Sequence, residues 1–285
     1  MGVRLGTFAP GDGRVGLPTM EGTLPWHVPP PTAYLPEAAM DISRGTRLAR
    51  SRLAWVLGQA GLVALGVFVY FRVRGLTEGA EDTALAHARD LAALEQRLGI
   101  AVEAEVQAPF ESSHLGETLV NWVYVFGHWP VIVLVMVWTA WHHREVFLRL
   151  RDGMLVSGAI GLLIFATYPV APPRLADDGL VDTVTRSSDA YRVLQPPAFV
   201  NQYAAMPSLH YGWDLLVGIA VVSAATTAWL RLVGLALPVA MMVAVVATAN
   251  HFVLDVVAGA ALALVGHAVA LRLERRRLRR RREEP

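Results

Sequence analysis

Long apolar runs separated by short charged segments dominate this chain. Stretches with few or no charges cover residues 53–71, 118–141, 154–171, 209–229, 232–248 and 252–271, and each approaches or exceeds the ~20 residues a helix needs to cross a bilayer. The pattern predicts an all-α, polytopic membrane protein with six transmembrane helices. Between the first two runs, residues 78–108 alternate charges with Leu85, Leu91, Leu94 and Leu98 at helical spacing. That stretch is too polar to span and suits one amphipathic helix lying along an interface. Residues 1–45 are rich in Pro and Gly without an apolar period, which predicts a disordered tail. They lack the basic, apolar and small-residue order of a cleavable signal, so the first span is expected to persist in the mature protein. Residues 46–271 then form the membrane domain and 272–285 a basic tail.

Composition agrees, with 54% hydrophobic residues, and charge placement adds direction. Net charge is only +1, but every basic side chain other than histidine is arginine, and the arginines are segregated. Arg44, Arg47, Arg50 and Arg52 precede the first span, Arg144, Arg149 and Arg151 follow the second, Arg231 separates the fourth from the fifth, and an arginine run follows the sixth. All of these fall on one side, which the positive-inside rule makes cytoplasmic. Arg72 and Arg74 fall on the other side, where their side chains snorkel at the headgroup boundary. The expected protein is a multi-pass plasma-membrane protein with both termini cytoplasmic and the amphipathic helix extracytoplasmic. The absence of cysteine excludes disulfides and thiolate chemistry.

The same topology unites the most informative residues. His210 opens the fourth span and His251 the sixth, each followed four residues later by an aspartate, Asp214 and Asp255. One helical turn brings each pair onto one face. Both spans run inward, so both histidines lie at the outer face, beside the long loop that carries Pro172, Pro173, Arg174, Arg186, Arg192 and Asn201. Two histidines at one interface suit phosphoryl transfer, one attacking phosphorus and the other protonating the leaving oxygen.

Three segments carry a resemblance. Residues 168–174 (Tyr-Pro-Val-Ala-Pro-Pro-Arg), 206–210 (Met-Pro-Ser-Leu-His) and 251–255 (His-Phe-Val-Leu-Asp) resemble, in order, the motifs of the type 2 phosphatidic acid phosphatase superfamily. The Ala-Pro-Pro and Pro-Ser-Leu-His forms are closer to its inositol phosphorylceramide synthase branch. The resemblance spans residues 90–271. It implies a metal-independent enzyme without cofactor, with His251 as nucleophile, Asp255 as its orienting partner and His210 as general acid. It also implies Arg174 and Ser208 as phosphate ligands. The chain departs from the superfamily pattern at Leu209, where glycine is usual, at Ala244 and Val245, where Ser-Arg is usual, and at Thr167 and Leu175 around Arg174.

The implied partners are a lipid phosphate, an acceptor that is either water or an alcohol such as inositol, and membrane lipids; the arginine tail reads as a topology signal and not as a nucleic-acid site. Water makes the protein a phosphatase, an alcohol a phosphotransferase. Asp214 either pairs with the His210 imidazolium or binds a helix neighbour. His128, beside Trp129 and Pro130, either satisfies carbonyls freed by the proline or lines the pocket. Arg174 either holds phosphate or anchors the loop to lipid. Ser157, Gly161 and Gly259 are read as helix contacts. The non-enzyme reading is a transporter or membrane scaffold, which ordinarily places polar groups near the midplane.

Overall fold

The computed structural model describes residues 54–66, 68, 69, 72, 80–176, 179–187 and 202–283. The chain divides into two units, Met1–Gly58 and Gln59–Pro285. The first is described only at its helical end, and the expected tail 1–45 lies outside the described residues, as do Arg192 and Asn201. In chain order the helices are α1 (Ala54–Gly66), α2 (Glu81–Leu98), α3 (Glu103–Glu111), α4 (His114–Phe126), α5 (Trp129–His142), α6 (Arg144–Thr167), α7 (Pro173–Ala176), α8 (Thr183–Ser187), α9 (Leu209–Ala224), α10 (Ala228–Ala247) and α11 (Val253–Glu283). Among the described residues there is no strand, and one isolated parallel bridge joins Val170 to Ala204.

Helices α6, α10 and α11 are each long and apolar enough to cross a membrane, and α4 with α5 meets the same test as a pair bent by 44°. That makes three spans, or four with the bent pair. Helices α1 and α9 are apolar but shorter, and they occupy the first and fourth apolar runs.

Three boundaries differ from the sequence expectation, each for a local reason. The stretch 78–108 is two helices, because Gly99 adopts the left-handed conformation at φ 71° and closes α2 through hydrogen bonds from Gly99 N to Gln96 O and from Ile100 N to Glu95 O. Glycine alone takes that conformation without a Cβ penalty. The run 118–141 breaks at His128, since Pro130 in the first turn of α5 has no N–H to continue the helix and its ring obstructs the preceding turn. The charged residues 144–153, expected between spans, already belong to α6, which follows α5 after the single residue His143.

Helices α6 and α11 are antiparallel. Arg149 near the start of α6 binds Glu274 near the end of α11 with two 2.9 Å hydrogen bonds, Gly153 faces Gly266, and at the opposite end Arg174 N donates to Ala249 O at 3.0 Å. Helix α9 runs parallel to α11, held where Ser208 N donates to Asp255 O at 2.9 Å. The backbones nearly touch there: a Cβ at Gly259 would collide with the Ser208 carbonyl, and one at Gly212 would lie 2.6 Å from Gly259 O. Ser157 and Gly161 are helix contacts as well, with Ser157 accepting from Trp213 Nε1 at 3.2 Å and Gly161 packed on Leu209. Parallel packing of α9 and α11 puts both histidines at one end, opposite the arginines.

Candidate active site

His251 precedes α11 in a tight turn. Ala249 takes a positive φ of 53°, and both Asn250 N and His251 N donate to Val245 O at 3.1 Å. The imidazole Nδ1 lies 2.8 Å from Ala205 O. A carbonyl can only accept, so Nδ1 carries the proton and Nε2 keeps its lone pair. Asp255 stands beside the same nitrogen at 3.4 Å and accepts from Phe252 N at 2.9 Å. The Asp255 carboxyl thus stands beside the ring, while the main chain holds the hydrogen bond. Asp255 is fully buried, and its Oδ1 has no partner among the described residues.

His210 sits in the first turn of α9, where Ser208 is the N-cap and its Oγ accepts from Tyr211 N at 3.4 Å. The His210 ring is stacked 4.8 Å from Tyr124 and lies 4.4 Å from His128 and 5.8 Å from His251. Its Nε2 is buried and has no hydrogen-bond partner among the described residues.

Asp214, for which the sequence leaves pairing with His210 as one of two alternatives, meets a different ring. Its Oδ1 accepts from His128 Nδ1 at 3.1 Å, with both side chains buried. The +4 spacing puts Asp214 on the face of His210, but the carboxylate turns across the bundle to the break between α4 and α5. His128 has no carbonyl partner among the described residues; it stands beside His210 as a third ring, with Asp214 on its Nδ1.

Arg174 lies at the start of α7. Its Nε donates to Asp182 at 3.0 Å, while Nη1 is buried without a partner among the described residues. The backbone bond from Arg174 to Ala249 ties it to the turn before His251. Arg186 falls in α8.

Sequence reasoning passed over the residues that brace this loop. Asp182 orients Arg174 and caps Thr185 N at 3.0 Å. Gln107 clasps both backbone groups of Val181, at 2.9 Å each, and reaches Ala247 O at 3.1 Å. Asn121 bonds Thr183 twice at 3.0 Å. Their only sequence signal is an amide within an otherwise apolar helical face, which is weak. At the departures from the superfamily pattern, Ala244 and Val245 are buried in the apolar cluster of Tyr124, Met241 and Val256, where an arginine would have to bury its charge.

The sequence profile described as the PAP2 superfamily matches residues 89–269. The chain belongs to the PAP2 superfamily. Comparison with curated proteins and with solved structures gave no match. Membership points to an enzyme of the phosphatase type acting on lipid phosphate, and the apolar helices suit the membrane setting of PAP2 enzymes. The profile begins within α2 and ends within α11, so it contains all three histidines and Arg174.

Proposed function

We propose that this PAP2 protein transfers the phosphoryl group of a lipid phosphate through a phosphohistidine at the extracytoplasmic face of the plasma membrane. The observation that carries the reading is His251, with Nδ1 fixed by Ala205 O, a carboxylate beside it and His210 opposite. Nε2 attacks phosphorus, the N–P bond forms as the P–O bond breaks, and His210 gives its proton to the departing oxygen. Asp255 stabilises the charge growing on His251. Arg174, preset by Asp182, directs its free Nη1 at the phosphate oxygens, and Ser208 contributes its hydroxyl proton. Asp214 and His128 form a second dyad whose ring packs against His210 and holds its position. In the second step a water or alcohol oxygen attacks phosphorus, the N–P bond breaks, and the acceptor proton returns to His210.

Hydrolysis is the simpler outcome, and transfer to inositol or another alcohol follows if the acceptor site excludes water. Neither step calls on a metal. In the bilayer α1, α9 and the bent α4–α5 pair join α6, α10 and α11 as six spans, with α2 and α3 at the outer interface and both termini cytoplasmic. The test is a lipid-phosphate screen with mass-spectrometric identification of products in chelator, comparing wild type with His251→Ala. Equal product from both proteins rejects the proposal, and the product's identity separates hydrolysis from transfer.

A further inference from the structure

Three carboxyl groups, not one, surround the first turn of α11. Successive backbone N–H groups donate to different side chains: Phe252 to Asp255 at 2.9 Å, Val253 to Glu103 Oε1 at 3.1 Å and Leu254 to Glu95 Oε1 at 2.6 Å. Glu95 comes from α2 and Glu103 from the start of α3, so each arm of the broken amphipathic stretch supplies one. Glu95 is fully buried and Glu103 nearly so, and Glu95 Oε2 has no hydrogen-bond partner of regular geometry among the described residues. A buried glutamate on an otherwise apolar face calls for a reason.

A helix N-terminus carries only about half a positive charge, too little for three carboxylates one to four residues from His251. The site must also admit an anionic phosphate. Keeping one carboxyl neutral removes the conflict. Glu95 is that one: burial, and next the neighbouring Glu103, push it up to about 8, against the weaker pull of the Leu254 N–H, with Asp255 adding to the rise. The other ionisable groups packed around α2 are engaged elsewhere. Arg174 on α7 is held by Asp182, Tyr203 interacts with Glu81, His87 binds Pro169 O, and α11 brings His251 and Asp255 themselves.

We propose that Glu95 and Glu103 form a buried carboxyl pair that clamps the first turn of α11 through the amides of residues 253 and 254 and, through it, positions His251. The positioning role rests on the reading of His251 as nucleophile; the pair itself does not. Because the folded protein holds Glu95 above its ordinary range, its contribution to stability is full below the usual carboxyl range and is lost as pH rises through about 8. Ionisation sets a full charge at the first turn of α11 and loosens the amides of residues 253 and 254, on which the placement of His251 rests.

Glu95→Gln in the full-length, detergent-purified protein tests this, because glutamine still accepts from Leu254 N–H but cannot ionise. Wild type should lose thermal stability between about pH 5 and about pH 8 and level off above that, and the variant should lose less than half as much. The activity probe is 4-nitrophenyl phosphate, whose leaving group needs no proton, so that His210 drops out of the alkaline limb. Wild-type turnover should fall about tenfold between about pH 7 and about pH 9, as Glu95 itself ionises, and the variant's by no more than about threefold. Parallel melting curves for the two proteins overturn the pair. If the melting curves diverge but neither protein turns over the probe or any lipid phosphate, the positioning role falls and the carboxyl pair stands. Should Glu95→Gln not fold, Glu103→Gln replaces it: losing the neighbouring charge should move the alkaline loss of stability to lower pH, and an unmoved transition overturns the pair.

Discussion

The two ends of the α6–α11 pair spend their polar groups differently. At the arginine end, Arg149 meets Glu274, Arg281 meets Glu145, and Asp152 is shared by Arg151 and Arg277. These long cations are largely paired and partly open to solvent. At the histidine end the polar groups are short, buried and incompletely satisfied. Of the five buried side-chain atoms without a partner among the described residues, four belong to Glu95, Arg174, His210 and Asp255, and only Arg277 Nη1 belongs to the other end. Buried polar groups ordinarily find partners, so spare hydrogen-bonding capacity gathered at one end is what the proposed phosphate site calls for. The saturated end orients and anchors.

The largest test of that contrast is at His251. His251→Ala should abolish turnover and phosphoenzyme together, measured by brief labelling with phosphorus-labelled substrate and an alkaline quench; a folded variant that still accumulates the same phosphoenzyme removes the nucleophile assignment. His210→Ala should cost about 10²–10⁴-fold on ordinary substrates and less on one with a good leaving group. Equal losses on both substrates would mean that His210 does not deliver the proton. Arg174→Lys keeps the charge but loses the planar fork, and should cost roughly 10–100-fold in kcat/KM without a change in melting temperature. Near-normal turnover would move the phosphate contact to another loop arginine. Asp214→Asn weakens the charge behind His128, and about a tenfold loss confined to poor leaving groups is expected. At the saturated end, Arg281→Ala removes an exposed pair and should change stability by no more than ~1 kcal/mol and activity not at all. A marked activity loss there would dissolve the distinction between the ends.

What the sequence disclosed followed its local periodicities. Apolar runs located the helices, and the +4 spacing of His251 and Asp255 put them side by side. The same spacing left the partner of Asp214 open, because sharing a face with His210 does not fix where a carboxylate turns when another helix offers a partner. His128 and Asp214 are separated by 86 positions, and no local pattern records such a meeting. Glu95 and Glu103 were hidden in the same way: in sequence they are ordinary acids of an amphipathic stretch, and only the fold brings them to residues 253 and 254. Gly99 was a visible break signal within that stretch, outweighed in the reading by the leucine spacing on its N-terminal side.

The carbonyl of Ala205 has a consequence for how this protein tolerates change. An acceptor built from a side chain can be erased by one codon substitution, whereas a peptide oxygen is present whatever residue is encoded. With Nδ1 anchored to the main chain, the proton arrangement of His251 is insulated from mutation at its own partner. Asp255 can then change charge without reversing which nitrogen of His251 bears the proton, a margin that an arrangement resting on one aspartate lacks.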